Sequence, residues 1–140
     1  MRPPLFRRSF TLFWLFLLLP ITAPAFDFTL HQQQGTQPGP TLLVVGGIQG
    51  DEPGGFNAAA LLATRYRIDK GNLWVVPNLN FPSIIKRTRG LHGDMNRKFL
   101  TLSANDPEYG PVTRIKKIIT DPAVDAVLNL HDGSGFYSPQ

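Results

Sequence analysis

The run Thr41-Leu42-Leu43-Val44-Val45 limits the possible folds of this chain more than any other stretch. Its residues are apolar or β-branched and lack the alternation of a strand with one wet face. A run of this kind suits a strand covered on both sides, as in a parallel or mixed sheet flanked by helices. Gly46-Gly47 ends it. From Pro53, the residues Phe56, Ala59, Ala60, Leu61, Leu62 and Ala63 recur with helical spacing, with Pro53 or Gly54 in the first turn. Asn72 to Pro77 predicts the next strand. Tyr109 to Thr120 predicts a second helix, with Val112, Ile115, Ile118 and Ile119 on one face. Ala126 to Leu130 predicts a further buried strand ending at His131-Asp132-Gly133. Phe26 to His31 alternates as a short strand would, Gln32 to Pro40 is polar like a loop, and Asn78 to Leu100 is expected to be irregular. Strands alternating with helices predict an α/β fold: a mixed, largely parallel sheet flanked by helices.

The first 25 residues have a different character. Arg2, Arg7 and Arg8 precede an apolar run from Phe10 to Leu19, which Pro20 breaks ahead of Ala23-Pro24-Ala25. This is the order of a secretory signal, and the run is shorter than the ~20 residues of a membrane span. Cleavage after Ala25, no stable membrane span thereafter, and a periplasmic or otherwise exported bacterial protein are the expectations. All 10 acidic residues but only 11 of the 14 basic ones lie beyond Ala25, leaving a net charge of +1. The basic balance therefore does not point to nucleic acid. With no cysteines, the chain must depend on a proper core rather than on disulfides. The sequence stops soon after a strand that looks central. Residues 26–140 are therefore expected to be the N-terminal part of one catalytic domain, with its sheet incomplete at the C-terminus.

In open α/β sheets, ligands bind beyond the carboxyl ends of the strands. One strand end here offers Gln49 and Glu52, and another offers His131. A spacing of three on a turn can bring Gln49 and Glu52 to one point. With the distant His131 they supply an amide oxygen, a carboxylate and an imidazole. Three protein ligands plus water is the form of a catalytic zinc site.

The motifs Gly-Gly-Ile-Gln-Gly-Asp-Glu-Pro-Gly-Gly, Gly-Asp-Met-Asn-Arg-Lys-Phe and Val-Leu-Asn-Leu-His-Asp-Gly follow one another in that order. This pattern resembles the M14 zinc carboxypeptidases and their succinylglutamate desuccinylase relatives across nearly all of residues 26–140. The resemblance implies that Gln49, Glu52 and His131 hold one Zn²⁺ ion. It also implies that Asn96 and Arg97 bind the substrate's terminal carboxylate, a task suited to the planar fork of Arg. A further Arg should polarise the scissile carbonyl; Arg89, seven residues before Asn96, is the first choice and Arg87 the alternative. Asp51 and Asp132, beside ligands, are either orienting groups or turn-formers.

The family usually has His where this chain has Gln49. Neither side chain is charged when bound, so the acidifying effect of the metal on its water should survive, with looser binding by the harder amide oxygen. Gln at this position is similar to the peptidoglycan D,L-carboxypeptidases that shape helical and curved bacterial cells. The resemblance then implies an exported carboxypeptidase acting on peptidoglycan stem peptides, tripeptide to dipeptide. A small-molecule N-acyl amino acid deacylase and a non-catalytic module binding cell-wall peptides are the alternatives. The family's general base is a Glu beyond the zinc-ligand His. No Glu follows His131 in this chain, and Tyr137 is too near His131 to match the family's substrate-contacting Tyr. The 140 residues alone are therefore expected to be inactive.

Overall fold

The computed structural model describes residues 26–133; the expected signal segment and Tyr137 lie outside the described residues. The elements are β1 (His31–Gln34), β2 (Gln37–Val45), α1 (Pro53–Arg65), β3 (Lys70–Val76), α2 (Phe81–Lys86), a 3₁₀ helix (Met95–Phe99), α3 (Tyr109–Ile119) and β4 (Ala126–Asn129). The sheet order is β1-β3-β2-β4. β2 runs parallel to both neighbours, with Leu43 opposite Trp74 and Val127, and β1 is antiparallel on β3. The fold is thus α/β with a mixed, largely parallel sheet, as the alternation of strand and helix patterns predicts.

The apolar run in β2 is covered on both faces. Leu43 and Val45 point to one side, where they join Val76, Leu79, Met95, Val112 and Ile115 beneath α3. Val44 points to the other and packs with Val75, Leu73 and Ala59 of α1. Each such side chain, fully buried, contributes about 1.5–3 kcal/mol relative to exposure, so these two small clusters carry much of the stability.

Four expectations are corrected. The first strand does not begin at Phe26: β1 starts at His31 and runs through Gln34. It is an edge strand held by backbone pairing, so its sequence needs no apolar alternation. Its Gln33 donates from Nε2 to the carbonyls of Leu62 and Ala63 at the end of α1. Secondly, much of the expected loop at Gln32 to Pro40 is strand, because β2 begins at Gln37 and only shifts register before Thr41. Thirdly, the stretch Asn78 to Leu100 contains α2 and the 3₁₀ helix, both too short for a periodic signal. Asn80 caps α2 by accepting from the Ser83 amide. Fourthly, β4 is not buried: all four of its residues are exposed, with β2 as its one strand neighbour among the described residues.

Candidate functional site

The ends of β2 and β4 lie side by side, tied by a 2.8 Å bond from the Leu130 amide to the Val45 carbonyl. This places the turn after β2 next to His131. Gly46 and Gly47 shape that turn. A Cβ on Gly46 would stand 2.6 Å from the Gly55 carbonyl oxygen, and Gly47 has φ +70°. Only glycine suits both demands at little cost. The turn is locked to the end of β3 by bonds between Gly46 N and Val76 O and between Asn80 N and Gly47 O.

Gln49, Glu52 and His131 meet at this point. His131 Nδ1 lies 2.7 Å from Glu52 Oε2 and 3.1 Å from Gln49 Oε1. Gln49 is 1% exposed although its amide is polar. Its Nε2 donates to Asp94 Oδ1 at 2.9 Å, which fixes the amide with the oxygen toward His131 and Glu52. His131 Nε2 lies 2.9 Å from Asn129 Nδ2. With Asn129 Nδ2 donating to it, Nε2 accepts and the imidazole hydrogen sits on Nδ1. Rotating the Asn129 amide by half a turn reverses this: Oδ1 accepts from Nε2–H and the Nδ1 lone pair faces the two oxygens. Among the described residues no three His, Cys, Asp or Glu side chains gather as a metal-binding group. Here a buried amide fills the third corner. An imidazole nitrogen and a carboxylate oxygen are ordinary Zn²⁺ ligands, and the amide oxygen held beside them is a harder, weaker third donor.

Asp94 joins this cluster to the basic groups. It bonds Gln49 through Oδ1, accepts from the Asn96 amide at 3.0 Å, and takes the Arg89 Nε at 3.2 Å on Oδ2. Arg97 Nε stands 3.9 Å from the same Oδ2. Partial burial pushes the Asp94 carboxyl up, but bonds from Gln49, the Asn96 amide and Arg89 outweigh it and hold it below the usual range. Arg89 also reaches Glu52 Oε1 with Nη1 at 3.3 Å. The structure therefore brings Arg89, and not Arg87, to the cluster. Arg87 is the left-handed C-cap of α2, with φ 52°, and lines an apolar cavity of about 610 Å³ with Asp51, Phe56, Ile84 and Ile85. The Arg97 side chain is 80% exposed, so its guanidinium is open to an incoming anion.

Asp94 and Asn129 escaped the sequence reading. The signal for Asp94 is its place two residues before Asn96, an N-cap position of a helical turn. Asn129 lies two residues before His131 on the same side of the chain. Asp132, left open as an orienting group or turn-former, bonds the first turn of α1. His31, on β1, is at the opposite edge of the sheet from β4, and His92 is exposed in the loop before Asp94.

The comparisons with known proteins agree with this architecture. Csd4, a cell shape determinant of Helicobacter pylori, has been solved with tripeptide bound. It is 48% identical, with TM-score 0.75, over 81% of this chain and 29% of that one. Its mDAP-bound form, described as a D,L-carboxypeptidase, is 51% identical with TM-score 0.72 over 78% of this chain and 27% of that one. A succinylglutamate desuccinylase/aspartoacylase from Rhodobacter sphaeroides is 26% identical with TM-score 0.64, over 74% of this chain and 33% of that one. An N-alpha-acetyl-L-2,4-diaminobutyric acid deacetylase of Halomonas elongata is 35% identical over 103 residues, 68% of this chain and 29% of the relative. The chain thus spans no more than about a third of the length of these relatives. The family model described as "Carboxypeptidase controlling helical cell shape catalytic" matches residues 13–140, and the chain belongs to that family, the M99 peptidases.

Proposed function

We propose that this chain carries the metal-holding and carboxylate-anchoring groups of an exported zinc carboxypeptidase that trims peptidoglycan stem peptides from tripeptide to dipeptide. The observation that carries the reading is the convergence of Gln49 Oε1, Glu52 Oε2 and His131 Nδ1 at the carboxyl ends of β2 and β4. Family membership and the tripeptide and mDAP found on Csd4 supply the substrate class.

Gln49, Glu52 and His131 would hold one Zn²⁺, which supplies an acidified water and polarises a carbonyl. Asp94 keeps the Gln49 oxygen turned toward the metal position, and Asn129 sets the His131 tautomer. Arg97, with Asn96, receives the substrate's terminal carboxylate through the guanidinium fork. Arg89, poised between Glu52 and Asp94, donates to the carbonyl oxygen as negative charge develops there. Proton transfer from the water to the leaving amine needs a base of suitable pKa. No Glu lies between His131 and Gln140 to match the family's base.

The test uses the full-length gene product. It is incubated with a muropeptide tripeptide, with and without added zinc, and released diaminopimelate is read by mass spectrometry. Zinc-dependent release that disappears on Gln49→Ala or Glu52→Ala is expected. Zinc bound stoichiometrically with no release would overturn the substrate assignment. The similarity to the Halomonas deacetylase then favours a small-molecule N-acyl deacylase, tested with N-acetylated diamino acids. Peptide binding that survives chelation, with no product, would favour a non-catalytic module.

A further inference from the structure

Helix α1 has an unusual start. Its N-cap residue is Glu52, yet Glu52 makes no side-chain cap bond. Its carboxylate is turned instead to His131 and Arg89. A carboxylate committed to that site cannot also satisfy the first-turn amides, which have no partners within the helix. The missing acceptor arrives from far along the chain. Asp132 accepts from the Gly54 amide on Oδ2 at 2.8 Å and from the Gly55 amide on Oδ1 at 2.9 Å. Its own amide donates to Glu52 Oε2 at 3.2 Å.

The two glycines make this approach possible. A Cβ on Gly54 would stand 2.3 Å from Asp132 Oδ1, and one on Gly55 would stand 2.6 Å from the Leu130 carbonyl oxygen. Besides the backbone bond from Leu130 to Val45 and the partly buried Leu130 side chain, which packs on the cluster of Val44 and Ala59, little holds the His131 end of β4. The strand pairs with β2 over four residues, and all of its own residues are exposed. Leu130 anchors the chain one residue short of His131, but apolar packing alone cannot fix the backbone beyond it. Three hydrogen bonds of Asp132 can, two of them between a carboxylate and the positive end of a helix.

We propose that Asp132 is a positioning residue, a clasp that fastens the end of β4 to the start of α1 and so holds His131 and Glu52 at ligand distance. This rests on the reading of Gln49, Glu52 and His131 as metal ligands. The geometry divides the labour between two carboxylates: Glu52 faces the metal position, and Asp132 caps the helix in its place.

The test again uses the full-length protein. Zinc dissociation constants are measured by chelator competition for the wild type, Asp132→Ala, Asp132→Asn, Asp51→Ala and Ile115→Ala. Asp132→Ala should weaken zinc about 10- to 100-fold, the range for lost partners of metal ligands. Asp132→Asn, which keeps one acceptor oxygen, should fall between Asp132→Ala and the wild type. Asp51→Ala should bind as the wild type does. Ile115→Ala, a core truncation on the buried face of α3, should lower the melting temperature without changing zinc affinity. Unchanged zinc affinity in a folded Asp132→Ala protein overturns the proposal.

A second measurement needs no metal. In apo protein, the loss of melting temperature caused by Gly54→Ala should be smaller in the Asp132→Ala background, because the colliding oxygen is gone. If the wild type binds no zinc, the metal reading fails and this coupling decides the clasp. Additive losses would then overturn it, and a clear coupling would uphold it.

Discussion

At the scale of single residues, the cluster shows which chemistry a sequence displays and which it hides. Gln49, Glu52 and His131 were legible because each follows an apolar strand pattern at a turn, where side chains gather in this class of sheet. Asp94 was not. Its role exists only once the loop folds back under Gln49, 45 residues away in sequence. Asn129 was hidden for a different reason, since which amide atom faces His131 is invisible in a one-letter code. Two predictions belong here. Asn129→Ala should weaken zinc by about 10-fold, about 1.4 kcal/mol, while Asn129→Asp keeps an acceptor and stays near the wild type. Chelator competition reads both, and equal affinities for all three proteins would remove Asn129 from the site. Arg97→Lys keeps the charge but loses the paired donors. It should raise the KM for tripeptide about 10-fold or more with a smaller change in kcat, as expected when ground-state anchoring is lost. Steady-state kinetics on the full-length protein check this.

At the scale of elements, the long loop between β3 and α3 is where pattern reading failed and where a buried ionic network explains the order found. Lys98, at 11% side-chain exposure, places Nζ 2.8 Å from Asp106 Oδ1 and 2.9 Å from Glu108 Oε2. Glu108 is fully buried and takes Asn80 Nδ2 on its other oxygen at 3.2 Å. The network ties the 3₁₀ helix bearing Asn96 and Arg97 to the cap of α2. Neither element has the length for an amphipathic signal, so partners distant in sequence decide both. Glu108→Ala leaves Lys98 buried beside a single carboxylate and should cost about 3–5 kcal/mol, read from urea unfolding. The pH dependence has a definite sign. Burial pushes the Asp106 carboxyl up, but Lys98 and the Glu108 amide outweigh it and hold it below 3.8. That contribution is present above pH 3.8 and is lost as pH falls through the depressed value. Lys98 is pushed down by burial and lifted more by its two carboxylates, so it sits above 10.5 and its contribution persists until pH rises through that raised value. Urea midpoints of wild type and Asp106→Asn should therefore differ at pH 6 and draw together as pH falls below the ordinary Asp range. A gap that stays constant would mean that Asp106 is not the titrating partner.

At the scale of the whole molecule, the class of fold was readable from strand and helix alternation, but the strand order was not. Nothing local says that β3 lies between β1 and β2, or that β4 joins the far side of β2 after a long excursion. Nor could the sequence show how bare that far side is. Leu128 is 47% exposed and Leu42 37%, and both fall on the α1 face of the sheet. Val127, 42% exposed, points to the other face. Beside them runs the edge of β4 that has no strand partner among the described residues. An apolar strand with an open edge pairs readily with another chain. Residues 26–140 expressed alone should therefore self-associate at micromolar concentration. Light scattering after size exclusion should show a mass above that of a monomer. Leu128→Lys puts a charge on the exposed strand without disturbing the buried clusters, so it should shift that population toward monomer. It should leave the far-ultraviolet circular dichroism unchanged. A wild-type chain that stays monomeric under these conditions would mean that the β4 edge is blunted in some other way. A Lys variant that associates as strongly would place the contact elsewhere on the molecule.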